Sequence, residues 1–463
     1  MDPQRIPLVA PIGARYSSLS VDSRLVNCYA EQGLSQGEFF VYKRPGFVTQ
    51  SAGAGAAAAH GAFTWLGDVY MVWGGTLYKN GGSLGAVDGT AAYGFTAMSG
   101  KGITRVMFLT NGVAAYTVST TGTITDVTAA IVATIGSATW LPYCAFLDAY
   151  ISILDTMGTI WTCTQGDPAT WPALNYVSAW LEPDAPIALA KQLSYLVCVK
   201  EYYTQLFYDA GNATGSPLSA VPGAKINFGG RDGRTVVECG GDLIWVARTR
   251  EGGVAVVLMS ALKATPISTS REERLLQAAD FSGAVYAWSA KVGGHRFYVV
   301  TVVNSNLTLV YDLTARLWYQ WEDPSGNYLP YAFATIGAGN GVTLQHATSG
   351  ATLGMDIAAY QDAGAIFTAD IYTPNYRGGT QRQKTLTRLD MQGDRNGAST
   401  VRLYYSDDDY QTWTDAGTAD LSTDEPFWAD LGSFRRRAFR FSQSANAPMR
   451  VEAIEALVDV GAF

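Results

Sequence analysis

Histidine, cysteine and charged residues are scarce in this sequence, and it lacks the motifs of several common enzyme classes. Three histidines occur in 463 residues, too far apart along the chain to predict a multi-histidine metal site: His60, His295 and His346. Neither the GxSxG turn of serine hydrolases nor the lysine-containing, glycine-rich loop that binds nucleotide phosphates is present. These absences favour a structural or binding protein, and we expect no enzymatic activity and no cofactor.

Cysteine usage points to a reducing compartment. The chain has five cysteines, an odd number, and no CxxC pair: Cys28, Cys144, Cys163, Cys198 and Cys239. Small apolar thiols of this kind are commonly buried and unpaired in proteins made in a cytoplasm. We therefore predict free, buried thiols and no disulfide framework.

Charge and hydropathy exclude two further classes. Hydrophobic residues make up 48% of the chain and charged residues 16%, so a large core is expected and disorder is not. The net charge is 32 − 40 = −8, which disfavours tight DNA binding through counterion release. No apolar run approaches the roughly 20 residues of a membrane helix. The N-terminus also lacks the apolar region of a signal peptide, and we expect no membrane partner.

Glycine and aromatic residues are abundant and arranged in a repeating pattern. Residues 293–322 combine turn residues with three aromatic, β-branched runs, which predict an antiparallel meander. Similar turns recur at intervals of about 45 residues, the length of a four-stranded propeller blade. Radial closure is the arrangement that covers every sheet face of such an array. We predict an all-β fold whose residues 55–360 form a six- or seven-bladed β-propeller.

The two ends of the chain do not follow this period. Residues 1–54 are predicted to be an N-terminal arm that ends in the turn of the KRPGF segment, Lys43–Phe47. Beyond Ile366 the strands carry more charge and alternate polar with apolar residues. Residues 361–463 are therefore predicted to form a C-terminal β-sandwich. We also expect one helix after Ser270, which with Glu273 has the spacing of a capping box.

The segment SDDDYQTW matches the Asp-box pattern, S-x-D-x-x-x-T-W, through Ser406, Asp408, Thr412 and Trp413. Its physical content is a hairpin in which the aspartate caps turn amides and the tryptophan folds back onto the sheet. The motif occurs in sialidases, away from the catalytic centre, and in many binding modules. A self-stabilised structural hairpin and a sugar-binding or sialidase-like site are both open interpretations. The neighbouring carboxylates could also bind Ca²⁺, although EF-hand spacing is absent.

A basic run near the C-terminus is the other candidate site: Arg435, Arg436, Arg437 and Arg440. We expect it to lie within a strand, with residues 435 and 437 on one face and residues 436 and 440 on the other. It could be a solvated or ion-paired face, a docking contact for an acidic partner, or, less readily at this net charge, a contact to nucleic acid.

Four segments carry a resemblance to a known family. They are VNCYAE with KRPGF, QLFYDAGNATGSPL (205–218), ATPISTSREERLL (264–276), and GHRFYVV followed by TLVYD and LW (294–318). In this order they resemble the packaged-DNA stabilisation, or tail hub, proteins of short-tailed bacteriophages. The C-terminal 100 or so residues are similar to that family only in strand character.

The resemblance implies a ring, most simply a hexamer, that sits below the portal and adaptor. Such a hub extends and closes the DNA exit channel, retains packaged DNA, and anchors a tail needle, spike or fibres. The implied partners are further copies of the chain, the head-to-tail adaptor, and DNA that passes without specific binding. The implied location is the virion tail, after assembly from the host cytoplasm. The alternative is a carbohydrate-binding or sialidase-like propeller protein.

Overall fold

The structure is a computed structural model that describes residues 4–9, 22–33, 38–53, 55–136, 139–337, 339, 341–395, 399–423 and 426–461. Parts of the predicted arm, residues 1–3, 10–21, 34–37 and 54, lie outside the described residues. Five strands occur in the rest of that segment: β1 (Gln4–Ile6), β2 (Arg24–Val26), β3 (Cys28–Gln32), β4 (Phe39–Lys43) and β5 (Gly46–Ser51).

Six antiparallel sheets, the blades of a β-propeller, follow one another along the chain. Blades one and two comprise β6 (Ala59–Trp65), β7 (Asp68–Trp73), β8 (Thr76–Lys79), β9 (Gly82–Ala86), then β10 (Gly94–Gly100), β11 (Ile103–Thr110), β12 (Ala115–Ser119) and β13 (Ile124–Asp126). Blades three and four comprise β14 (Trp140–Leu147), β15 (Tyr150–Asp155), β16 (Thr159–Thr162), β17 (Tyr176–Ser178), then β18 (Pro186–Gln192), β19 (Tyr195–Lys200), β20 (Thr204–Asp209) and β21 (Leu218–Ile226). Blades five and six comprise β22 (Gly229–Gly230), β23 (Val237–Cys239), β24 (Asp242–Arg248), β25 (Val254–Ser260), β26 (Lys263–Pro266), then β27 (Val285–Val292), β28 (His295–Val302), β29 (Leu307–Asp312) and β30 (Leu317–Gln320).

A seventh sheet closes the ring. It contains β31 (Tyr331–Ile336), β32 (Val342–His346), β33 (Thr352–Asp356), the N-terminal β5, β34 (Gln361–Asp362) and β35 (Ala365–Ile366). β31 contacts β27 of blade six on one side and β6 of blade one on the other. Strand β5 is antiparallel to β33, so the two ends of the propeller segment are joined by backbone hydrogen bonds. The predicted β-propeller is confirmed.

Apolar clusters fill the spaces between successive blades. Between blades five and six, for example, Ile244 and Val256 pack with Tyr298 and Leu309, and all four side chains are buried. Equivalent clusters lie between blades one and two, two and three, three and four, and four and five. Because each blade buries both of its faces, its central strands are near-continuous apolar runs rather than alternating ones.

The remaining strands form two sheets that share one apolar cluster. They are β36 (Ala369–Tyr372), β37 (Lys384–Gly393), β38 (Thr400–Ser406), β39 (Thr414–Asp420), β40 (Phe427–Ala429), β41 (Ser433–Phe434), β42 (Ala438–Gln443) and β43 (Arg450–Val460). One sheet has β37, β40, β41 and β43 with the N-terminal β1, β3 and β4. The other continues blade six through β2 into β36, β42, β38 and β39. The shared cluster includes Leu389, Leu403, Phe441 and Ile454, an arrangement consistent with a β-sandwich.

Sheet pairing crosses both of the predicted domain boundaries. Strands β1 and β4 pair with β43, and β2 lies between β30 and β36. The segment predicted as an arm therefore contributes strands to three sheets, and the division of the chain at residues 54 and 360 stays a prediction. Because the sheets are shared, we expect the three segments to depend on one another for stability.

Two α-helices occur among the described residues, α1 (Thr128–Ile135) and α2 (Ser270–Ala278). α2 is the predicted helix, but its capping box lies one residue earlier than the sequence suggested. Thr269 is the N-cap, and Glu272 hydrogen-bonds back to it. Glu273 instead accepts a hydrogen bond from the Ser268 hydroxyl, which explains why the simple spacing was misleading.

A buried ion pair joins the N-terminal segment to the propeller. Arg44 has no exposed surface, and its guanidinium forms a bidentate pair with Asp362 of β34. The remaining N–H groups donate to the Asn27 side chain at 2.9 Å and to the carbonyl oxygens of Pro45 and Glu322, both at 3.0 Å. All five guanidinium donors are thus used. Asp362 also accepts from the amide of Phe47 in β5.

Replacing Arg44 should destabilise the whole fold because the Asp362 carboxylate would be left buried without its cation. Arg44→Met is expected to lower the free energy of unfolding by about 3–5 kcal/mol, as for other broken buried pairs. Arg5→Met, which removes the exposed pair with Glu38, is the matched control and should cost less than about 1 kcal/mol. Urea unfolding followed by tryptophan fluorescence measures both, and equal losses would contradict the assignment.

Candidate partner-docking site

The Asp-box residues form a closed hairpin between β38 and β39. The Asp408 carboxylate accepts hydrogen bonds from the amides of Gln411 at 3.2 Å and Thr412 at 2.9 Å, and from the Ser406 hydroxyl at 2.8 Å. The Thr412 hydroxyl also donates to Asp408. These hydrogen bonds, led by that of Thr412, lower the pKa of Asp408 to about 2. A short carboxylate at this position reaches several turn amides.

Trp413 is half-buried and folds back towards the sheet. Its ring lies edge-on to Tyr372 of β36, with 5.5 Å between ring centroids, and 6.0 Å from the ring of Tyr410. Because Tyr372 also contacts the guanidinium of Arg24 of β2, at 3.9 Å, the hairpin packs close to the N-terminal strands. The ring of Trp413 thus packs on aromatic residues of this same chain.

The basic run does not lie within one strand, contrary to the sequence prediction. Arg435 and Arg436 occupy a bend between β41 and β42, Arg437 forms an isolated bridge with Tyr376, and Arg440 lies in β42. Arg435 is exposed whereas Arg437 is buried, so these two do not share an environment. The bend interrupts the alternation on which the prediction was based.

Most of the basic run is paired with carboxylates of this same chain. Arg437 forms a bidentate pair with Asp407, both distances being 2.7 Å, and lies 4.0 Å from the centre of the Tyr405 ring. Arg440 pairs with Asp370 at 2.9 and 3.1 Å. Arg436 contacts Asp409. The acidic loop thus supplies the carboxylates for Arg436 and Arg437, and β36 supplies the one for Arg440.

Arg435 differs from the other three arginines. It is exposed and forms no ion pair with any residue that the structure describes. Arg435 is therefore the member of the run that could engage an acidic partner without first breaking an internal pair. A docking role for Arg435, Arg436, Arg437 and Arg440 stays a prediction.

The first and last of the segments that carry the family resemblance meet at the junction between the N-terminal strands and blade six. Asn27 of VNCYAE accepts a hydrogen bond from Arg44 of KRPGF. The ring of His295, the first residue of β28, lies between Asp312, with Nδ1 2.6 Å from Oδ2, and Glu31, with Nε2 3.2 Å from Oε1. His295 is buried at this junction.

Electrostatics at this junction favour a charged imidazole. Burial lowers the pKa of His295, but hydrogen bonds and charges from Asp312 and Glu31 outweigh it and raise the pKa overall. Sequence analysis missed both this cluster and the Arg44–Asp362 pair. The sequence shows only that Arg44 and His295 lie beside turn residues. That position does not reveal which residues about 300 positions away are their partners.

Comparison with protein families identifies the chain. A family model described as Bacteriophage P22 Gp10, β-propeller, matches residues 4–328. The chain belongs to this family. The match runs from β1 to the end of blade six and includes every segment named above. Membership in the Gp10 propeller family confirms the predicted resemblance and indicates a structural protein of the phage virion.

Other comparisons give only remote similarities to this Gp10-family protein. A chain from the S. cerevisiae complex of Dbp5, Nup159, Gle1, IP6 and ADP is 9% identical, with 71% of this chain and 98% of that one covered and a TM-score of 0.40. PorZ, of the type-IX secretion system of Porphyromonas gingivalis, is 12% identical, with 80% and 46% covered and a TM-score of 0.37. With TM-scores below 0.5, neither similarity informs function. A comparison with individually curated proteins found no match.

Three further observations on the described residues concern the cysteines, the helices and possible metal ligands. All five cysteines are free, four of them buried, and burial raises the pKa of Cys163, Cys198 and Cys239 to about 12. No helix within the described ranges is long and apolar enough to cross a membrane. The same part of the chain holds no group of three or more histidine, cysteine or acidic residues placed to bind a metal.

The basic run makes a prediction that separates its structural from its free members. Arg437→Met should lower the free energy of unfolding by about 2–3 kcal/mol, somewhat less than for a fully buried pair because Asp407 is partly exposed. Arg435→Met should change it by no more than about 0.5 kcal/mol. Thermal and urea unfolding of both variants check this, and a large loss in the Arg435 variant would show that its contacts are intramolecular.

The low pKa of Asp408 predicts a pH dependence for the hairpin. A folded-state pKa of about 2, against an ordinary value of 3.8, means that the stabilisation is present above pH 4 and is lost as the pH falls through 2. The difference in melting temperature between the wild type and Asp408→Asn should therefore shrink from pH 5 to pH 2. Gln411→Ala, in the same exposed loop, is the control and should show no such trend.

Proposed function

We propose that this protein is a ring-forming hub of a phage tail. In this role it lies below the portal and adaptor, extends and closes the DNA exit channel, retains packaged DNA, and anchors a needle, spike or fibres. The observation that carries the proposal is the family match, which covers residues 4–328 and the first six blades of the propeller. The family resemblance supplies the proposed hexameric stoichiometry and the position of the ring.

An exposed apolar surface on blade three supports association with other protein chains. Five large side chains there are between 45% and 73% exposed: Met157, Leu174, Tyr176, Trp180 and Leu181. The indole N–H of Trp180 donates to the carbonyl oxygen of Met157 at 3.2 Å, which holds part of this surface together. Clusters of exposed apolar residues mark protein interfaces more often than isolated ones do. In a ring, each subunit would cover such a surface with its neighbour.

The net charge of the chain supports a role in a channel wall that does not bind the DNA duplex passing through it. The chain carries a net charge of −8, and arginines 436, 437 and 440 of the C-terminal basic run are paired internally. A chain with a net negative charge gains little from the release of counterions by DNA. We therefore propose that the chain contributes to the wall of the exit channel and leaves retention of the genome to closure of that channel.

The alternative of a carbohydrate-binding or sialidase-like propeller has weaker support. Its motive is the Asp box, yet the hydrogen bonds described for Asp408 are made within the hairpin itself. The hairpin belongs to the sheet that extends from blade six, outside the first six blades. A glycan-binding assay on the purified chain tests this alternative directly.

A reconstruction of the virion tail, or of the complex with the adaptor, tests the hub. We expect closed rings of this chain on the central axis. Trp180→Asp should reduce incorporation into particles, because a charge would be placed on the proposed interface, whereas Phe427→Asp, at another exposed aromatic residue, should not. Absence of the chain from the tail, or isolated copies away from the axis, would contradict the proposal.

A further inference from the structure

A cavity of about 700 Å³ lies between blades five and six, beside the turns at one end of their strands. We propose that it is a binding site for a small molecule with a phosphomonoester or pyrophosphate group. The site is independent of the tail assignment. Its volume falls within the range of small-molecule sites. It is lined by three cations from blade six, Lys291, Arg296 and Arg316, and by Asp242 at the start of β24.

The arrangement of the cations is unfavourable without an anion. Lys291 of β27 and Arg296 of β28 are direct cross-strand partners. Like charges placed opposite each other in an antiparallel pair destabilise the sheet, since their Cβ atoms are only about 5 Å apart. Neither residue, nor Arg316, forms an ion pair within the described part of the chain. No described carboxylate therefore pairs directly with these cations, and Asp242, which lines the same cavity, offsets only one of the three charges. In the C-terminal run, by contrast, Arg436, Arg437 and Arg440 are each paired within the chain.

The backbone around the cavity makes room for one of these cations. Gly240, in the turn before β24, has a φ of +69°, and a Cβ atom there would lie 1.4 Å from Nη1 of Arg296. The same Nη1 donates to the Gly240 carbonyl oxygen at 3.3 Å. A glycine is required both by the left-handed conformation and by the close approach of the guanidinium. Arg296 is thus held in a defined position against blade five.

The lining matches a multiply charged oxyanion on an organic molecule. Three cations and one carboxylate leave an excess of two positive charges, similar in size to the −1.5 to −2 of a phosphomonoester at pH 7. Ser260, Thr265 and Thr314 add hydroxyl groups to the lining, and arginine binds phosphate through paired N–H groups. Leu258, Ile267 and Leu313 supply an apolar wall for the rest of the ligand. A duplex phosphodiester has one charge per phosphate and is not a small molecule, so it fits this cavity less well.

Inorganic pyrophosphate is the probe, titrated into the full-length chain by calorimetry at low salt in a phosphate-free buffer. We expect saturable binding that weakens with added salt. Lys291→Met/Arg316→Gln should weaken it at least tenfold. Lys101→Met/Arg105→Gln, which removes the same charge from an exposed turn and strand in blade two, should change it less than twofold. No saturable binding, or equal weakening in both variants, would overturn the site.

Melting temperatures and competitors provide the remaining arms. Pyrophosphate should raise the melting temperature of the wild type but not that of the cavity variant. Without pyrophosphate, Lys291→Met should melt at or above the wild-type temperature, because it removes the like-charge pair, and a lower value would contradict the argument. Hexaglutamate and a blunt DNA duplex without terminal phosphates should not displace pyrophosphate. If the peptide displaced pyrophosphate at equal charge, the cavity would be a carboxylate site. If the duplex displaced it, the cavity would be a nucleic-acid contact. Either result would refute the proposal.

Discussion

The buried pair between Arg44 and Asp362 is the interaction on which the rest of the architecture depends. A fully buried guanidinium is tolerated only when its charge is compensated and its donors are all satisfied, and both conditions hold here. Its partners come from the N-terminal strands, from the end of blade six and from β34. The pair lies where the ring closes. If the N-terminal segment were displaced, the Asp362 carboxylate would remain in an apolar interior without its cation.

Strand β5 closes the propeller, and strand β2 joins blade six to the C-terminal strands in one sheet. The propeller and the C-terminal strands therefore form one connected unit. Blade six connects the features described above. One of its edges pairs with the N-terminal strand β2, and its residues Lys291, Arg296 and Arg316 line the cavity beside blade five. A propeller whose blades are covered on both faces is a rigid scaffold, and its loops and exposed apolar residues remain available for contacts. This suits the structural phage protein that the family match indicates.

The distribution of charge separates two uses of arginine in an acidic chain. In the C-terminal sheets Arg436 and Arg437 pair with aspartates 409 and 407 of the Asp-box loop, and Arg440 pairs with Asp370 of β36, so the charges stabilise a local fold. Between blades five and six three cations converge without such partners, at a cost to the sheet that a ligand would offset. Counting basic residues in the sequence could not distinguish these cases, because the difference lies in which carboxylates the fold brings near.

Local pattern determined the strands, the turns and the period. The glycine turns and β-branched runs of residues 293–322 predicted a propeller blade because side-chain alternation and turn chemistry act over a few residues. The same reasoning predicted the cap made by Asp408, whose partners lie within four residues. Three pairings could not be predicted: Arg44 with Asp362, His295 with Glu31, and β5 with β33. These partners are about 260 to 320 residues apart, and sequence periodicity contains no information on which distant strand closes a ring. Only the tertiary structure decided three further features. Most of the basic run is paired, the predicted arm contributes strands to three sheets, and three unpaired cations meet at one cavity. Each of these depends on distances between elements that only the closed propeller sets.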